Sequence, residues 1–291
     1  MKNLFFLSIF LYPLFFLAQP AKELQLNVSE DPYNKTKLGY DNPMVYGQHK
    51  SEHFISTATP YHEKSLGKNT QNIYYAYKTL PNPKNKKNQR MGLTILQMGE
   101  RLLKFTDRAI LKDDSLRETF SKKDIYTSDL NKAGKFLNKV GFNNNVFIDL
   151  NTKQTTVQNA IGLSGLEYTI PTPQLKWQLQ KDKKEILGYA VQKATTQYGG
   201  RDWVAWFAKD IPLSYGPYLF GGLPGLILEM HDAEDEHHFT AIAMSTTPRP
   251  FYKRIYEEPR GRKTTESEAL KAIKISFEDR LLRPFNPIEK F

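Results

Sequence analysis

Eight consecutive positions, His231-Asp232-Ala233-Glu234-Asp235-Glu236-His237-His238, hold three imidazoles and four carboxylates. Imidazole and carboxylate together could bind zinc or another divalent ion. The spacing argues against it, because the adjacent His237 and His238 point to opposite faces of a strand. The octet is expected to be a solvated hairpin between "LILEM" and "HFTAIAM", with little stability resting on its histidines, and no metal or cofactor is assigned. Other chemistries fare no better. "GLSGL" at 162–166 has Leu166 where a G-x-S-x-G elbow needs its second Gly. There is no H-E-x-x-H, P-loop or G-x-G-x-x-G. The absence of cysteine removes disulfides, thiolate metal sites, a cysteine nucleophile and a lipid-modified Cys anchor. Arg201-Asp202 is expected to form a buried ion pair. Catalytic carboxylates can lie far apart in sequence. A secreted hydrolase or metal-dependent enzyme, using carboxylates or the His-rich loop, therefore stays open as the alternative, with no catalytic residue assigned.

The second concentration of functional side chains is aromatic: Trp177, Trp203, Trp206, Phe207, Tyr215, Tyr218 and Phe220. In "RDWVAWF" a strand puts Trp203, Ala205 and Phe207 on one face and Val204 and Trp206 on the other. Bulk on both faces implies burial on one side and a cavity or a partner on the other. The plain interpretation is core packing. The sharper one makes Trp206, Tyr218, Phe220 and Leu223 the rim of a site for an apolar ligand or an extended peptide.

These residues need a scaffold, and the pattern from Asn72 onward supplies strands. "NIYYAYKTL", "GLTILQM", "RLLKFTDR", "NVFIDL", "TTVQNAI", "GLEYTI", "LKWQLQ", "EILGYAVQKATTQY", "RDWVAWFA", "LILEMHD" and "HHFTAIAM" are strand-length runs separated by a few turn residues. Short connections imply antiparallel pairing. Helical spacing marks Ser128–Gly141, with a Ser start and a Gly stop. A second amphipathic helix follows Thr265, where Thr265 and Glu268 make a capping-box pattern. The fold class is mainly β (α+β): one antiparallel sheet with few helices. Residues 1–18 are a signal peptide, 19–71 an irregular polar segment, 72–250 the β domain and 251–291 a helix and tail. The leader assignment rests on Lys2 followed by an apolar run from Leu4 to Ala18, interrupted by Pro13. That run falls short of the roughly 20 residues of a spanning helix. Export to the periplasm or outer-membrane surface, with neither a lipid anchor nor a membrane span, is expected. The formal charge of +10 is scattered, its densest run being a solvated loop at Lys84–Arg90. Nucleic acid is not an expected partner.

In "GGLPGLILEM", Leu223-Pro224-Gly225-Leu226 has Pro and Gly where a type II turn requires them, with φ > 0 at Gly225. Gly222, Leu223, Pro224, Gly225, Leu226 and Ile227 make up a hexapeptide that aims the strand after it. The chain here resembles the GLPGLI family of secreted Bacteroidetes proteins, for which no general function is established. Gly188-Tyr189, Lys193-Ala194, Gly200-Arg201, Ala205-Trp206, Ile211-Pro212, Gly216-Pro217 and Phe220 surround the hexapeptide in the family's order. Val191 stands where many members have Cys, and Phe207 where they often have Tyr. The resemblance implies an envelope protein with a strongly curved, half-barrel-like sheet. The function expected is non-catalytic: a cell-envelope binding or accessory protein acting with an outer-membrane transporter or assembly protein, or holding an apolar or peptide ligand.

Overall fold

The computed structural model describes residues 51–58, 63–87, 89–137, 141–161, 164–246, 249–254, 261–278 and 286–290. The leader, the lipid-anchor question and residues 19–50 lie outside them. In chain order the elements are β1 (Phe54–Ser56), β2 (Glu63–Asn69), β3 (Gln71–Thr79), β4 (Arg90–Met98), β5 (Leu102–Asp107), α1 (Arg108–Phe120), β6 (Ile125–Tyr126) and α2 (Thr127–Leu137). Next come β7 (Asn144–Asp149), β8 (Gln154–Ile161), β9 (Ser164–Pro171), β10 (Gln178–Ile186), β11 (Tyr189–Tyr198) and β12 (Arg201–Ala208). The last are β13 (Leu226–Asp232), β14 (His237–Ser245), β15 (Arg249–Arg254), β16 (Gly261–Lys263) and α3 (Glu266–Glu278).

Among the described residues, twelve strands form one sheet in the order β10-β11-β12-β13-β14-β3-β4-β5-β7-β8-β9-β16, and its two ends do not meet. Every pair is antiparallel except β16 with β9. Two meanders are joined where β14 lies beside β3, from His237↔Thr79 to Ser245↔Asn72. The sheet curls: Tyr168 on β9 belongs to the same core cluster that Tyr198 on β11, near the opposite end of the order, packs against. Register shifts in β10, at Trp206/Phe207 and at Ala241/Ala243 add twist and bend. The free edge at β10 carries the exposed Lys181, Asp182, Lys183, Lys184 and Glu185, charges that oppose strand addition.

Strict alternation fills the inner face. Tyr75, Tyr77, Phe105, Trp203, Phe207 and Phe239 meet there in one core cluster. Tyr77 stacks on Phe239 with 4.4 Å between ring centroids, and Trp203 lies 4.6 Å from Phe220. Tyr74, Ile95 and Ala243 form a separate cluster on the outer face, packed against Leu111 of α1. Helix α3 opens with the anticipated capping box, Thr265 Oγ1 accepting from the Glu268 N–H at 3.2 Å, and buries Ala269 and Ile273. Helix α1 was not apparent from the sequence. Its start is Asp107, whose carboxylate accepts the Ala109 N–H at 2.8 Å and also binds the amides of Gly141 and Phe142.

Two expectations fail locally. "EILGYAVQKATTQY" is not one strand: Leu187 and Gly188 have φ of 53° and 79° and turn β10 into β11. The strand expected at 175–180 begins only at Gln178, leaving Leu179 on its exposed side. The second failure is the turn of the hexapeptide. The Gly225 N–H bonds back to the Leu223 carbonyl at 2.8 Å, a tight γ-type turn over Pro224, while the Leu226 N–H goes to Ile211. Gly225 does have positive φ, at 152°. Its stronger constraint is contact, since a Cβ there would stand 2.1 Å from the Ala208 carbonyl oxygen and 2.7 Å from its carbon. The glycine is needed because the turn lies directly on the end of β12.

A positive φ alone would favour Asn over other replacements at Gly225. Asn gains nothing over other residues when the obstacle is a neighbouring backbone. Gly225→Ala and Gly225→Asn should each lower unfolding free energy by about 1–3 kcal/mol, the range for overpacking. Denaturant midpoints check it, and an Asn variant as stable as wild type would show that φ alone governs this position.

Candidate functional site

The polar centre of the inner face is Arg201, the first residue of β12, whose side chain is buried. All five of its N–H donors are used. Nη1 reaches Asp232 Oδ2 and Glu236 Oε2, each at 2.6 Å. Nη2 binds Asn286 Oδ1 at 2.9 Å and the Pro287 carbonyl at 3.1 Å, and Nε binds the Ile288 carbonyl at 2.8 Å. Asp232 is saturated in turn, with Oδ1 accepting the Glu236 and His237 amides at 2.8 Å each. His237 is buried with Nδ1 2.8 Å from the Tyr77 hydroxyl and Nε2 3.2 Å from the Pro287 carbonyl. That pairing fits a neutral ring that donates from Nε2 and accepts at Nδ1.

The "HDAEDEHH" hairpin is therefore not simply solvated. Asp232 and His237 are buried parts of this node, and the ion pair of Arg201 is with Asp232 and Glu236. Asp202 lies on the other face and bonds Gln197 at 2.8 Å. Both errors have one source: sequence shows alternation along a strand but not which face an end residue takes under a chain segment distant in sequence. His238 does point the opposite way. It lies 2.8 Å from Asp235 and 3.6 Å from Glu229 on the outer face. Among the described residues, no group of three His, Asp or Glu is placed to hold a metal ion.

Residues 286–290 lie across this node. Besides the contacts to Pro287 and Ile288, the Lys290 N–H bonds the Gly199 carbonyl at 2.7 Å. Ile288 is buried in the main cluster. The Glu289 carboxylate accepts from the Tyr218 hydroxyl and lies 3.5 Å from that of Tyr198. Burial holds the Glu289 carboxyl above its usual range. Tyr218 reaches it from a strained backbone, with φ of 56° in a non-glycine residue. A narrow cleft of about 30 Å³ runs between Asn286–Glu289 and Tyr77, Thr79, Asn144 and Asn159. The buried Asn159 Oδ1 has no protein partner, and the space suffices for water.

The four residues put forward as a binding rim do not share a surface. Tyr218, Phe220 and Leu223 are core residues, whereas Trp206 is half-buried on the outer face. There the Lys184 ammonium lies 4.3 Å from the Trp206 ring centre and 2.7 Å from Glu229. Burial alone would raise Glu229, but the neighbouring His238 and the hydrogen-bonded Lys184 ammonium outweigh it and hold the carboxyl at about 2. Sequence reasoning missed residues 286–290 altogether. Their one signal was the burial-prone Ile288 after a Pro, between Phe285 and Phe291.

A family described as "Protein of unknown function (Porph_ging)" matches residues 198–229, a short stretch that includes Arg201, Tyr218 and the GLPGLI hexapeptide. No curated protein matches the chain. Two crystal structures of PNGF-II, in P21 and C2 space groups, are similar at 14% and 12% identity, each with a TM-score of 0.45. The alignment covers 72% of this chain in both cases but only 34% and 33% of the PNGF-II chains, about a third of their length. Likeness at this level carries no argument about fold or activity.

The node has a definite pH signature. Burial, reinforced by the Arg201 charge, pushes His237 down to about 3. An unfolded imidazole takes its proton near 6.5, so between those values the unfolded chain binds one proton more. The His237 contribution to stability is full above pH 6.5 and falls as pH drops toward 3, by up to about 1.4 kcal/mol per pH unit, while Asp107, raised by burial to about 6, contributes with the opposite sign. His237→Gln should remove that slope between pH 6 and 4 in denaturant unfolding. A variant retaining the wild-type slope would mean that His237 does not stay neutral in the folded chain.

Proposed function

We propose that this chain is a non-catalytic binding or accessory protein of the cell envelope that holds an extended segment of an outer-membrane partner. The observation that carries the proposal is the grip on residues 286–290. Arg201 and His237 hold two successive carbonyls, and the Gly199 carbonyl holds an amide, so the inner face already grips a peptide segment, bent at Ile288 and Glu289, through its backbone. Backbone contacts of that kind are open to peptide segments of varied sequence. The polar cluster at this face is saturated by internal partners, which fits a positioning role better than turnover. The apolar leader at Leu4–Ala18 and the GLPGLI resemblance support export and the finer family assignment. No helix among the described residues is long and apolar enough to cross a membrane. Periplasmic or outer-membrane association is proposed on these grounds.

The test is photo-cross-linking in the native envelope from position 290, at the rim of the segment. An adduct with a second envelope protein is expected. Adducts confined to the protein's own chain, together with hydrolysis of a glycoside or peptide substrate by the purified protein, would favour the hydrolase alternative.

A further inference from the structure

We propose that the inner face is a sequence-selective peptide site for the pattern Asn-Pro-aliphatic-acidic, with residues 286–290 as its resident occupant and a segment of a partner protein with the same pattern as its exchange ligand. This rests on the peptide-binding function above and adds a preference at each position. Asn286 is held at both ends of its amide: Oδ1 accepts from Arg201 at 2.9 Å, and Nδ2 donates to Glu236 Oε2 at 2.9 Å. An Asp there would set a carboxylate against Glu236 and lose the donor. Pro287 is buried and brings no N–H that would need a partner, while its carbonyl takes two donors. Ile288 is 3% exposed and joins the core, so its slot takes an aliphatic side chain. Glu289 meets two phenol hydroxyls, from Tyr198 and Tyr218, that both point at one carboxylate oxygen. Hydroxyl donors converging on one oxygen are a receptor for a carboxyl group. The Lys290 side chain makes only a rim contact, its ammonium 3.4 Å from Glu234.

Two features make the occupant replaceable. The segment belongs to no strand of the sheet, and one backbone N–H, that of Lys290, ties it to the main chain of β11–β12. The cleft along Asn286–Glu289 leaves its flank only partly packed. A tethered occupant has an effective concentration in the millimolar range, so a free peptide of equal quality competes poorly until the tethered copy is weakened.

The experiment uses the full chain and a fluorescent peptide copying residues 284–291. Ile288→Asp puts a carboxylate into an apolar slot and should release the resident segment. The variant is expected to bind the peptide one to one, at least about tenfold more tightly than wild type does, because the tethered competitor is lost. Peptides carrying Asn286→Ala or Glu289→Ala should bind about tenfold more weakly, as for buried anchors. Equal binding of a scrambled peptide would overturn the selectivity, and so would no binding by a variant that unfolds as cooperatively as wild type. Should Ile288→Asp not fold, wild type with millimolar peptide bearing a photoreactive group in place of Ile288 decides. Adducts within Tyr198–Arg201 or Asp232–His237 support the site, whereas adducts elsewhere or none refute it. Failure here alongside a captured envelope partner removes only the sequence preference. Failure of both removes the peptide-binding function as well.

Discussion

One buried guanidinium organises this molecule. Arg201 sits where desolvating a charge is expensive, and it is stable there because each of its five donors has a partner. Those partners come from two places, the β13–β14 hairpin and residues 286–288, and the side chain ties both to the start of β12. Losing any one of them leaves charge stranded in the core. Breaking such a pair typically costs about 3–5 kcal/mol. The hairpin's acidic sequence, the Gly-Gly turn before Arg201 and the docking of Asn286 are all conditions for that one side chain to be buried.

The constraint also explains the crowded approach to β13. With the inner face filled by Trp203, Phe207, Phe220 and the 286–290 segment, the chain between β12 and β13 has little room. It folds back so closely that Gly225 touches the Ala208 backbone, and Ile227 packs where a Cβ on Gly216 would stand 2.7 Å from its own. Tyr218 accepts a strained backbone in the same loop and directs its hydroxyl to Glu289. The hexapeptide is thus a packing device for the segment's neighbourhood more than a turn of a particular dihedral class.

Much of this was legible in the sequence. The alternation in "RDWVAWFA" and "HHFTAIAM" placed β12 and β14, their inner faces and the opposite orientations of His237 and His238. The capping box at Thr265–Glu268 fixed the start of α3. What was lost depended on contacts between residues distant in the chain. Leu187 in a left-handed conformation gives no compositional signal, so β10 and β11 merged into one strand. Asp107 does end β5, but its second role as the cap of α1 left no mark in the strand pattern. Asp232 and His237 looked solvated because the residues that bury them come fifty positions later, at 286–288. Phe220 and Leu223 are aromatic and apolar whether they line a site or a core, and only the fold separates the two.

The central claim is that residues 286–290 are docked on the sheet through Arg201 and yet separable from it. Native-state hydrogen exchange followed by NMR measures this directly, through the Arg201 Nε–H and the Lys290 amide compared with the amide of Ala205 in mid-strand β12. Both reporters should be protected, should exchange together, and should do so with an opening free energy clearly below that of Ala205. Exchange of all three at the global unfolding rate would make the segment an ordinary part of the core. Unprotected exchange at Lys290 would mean that it is not docked at all.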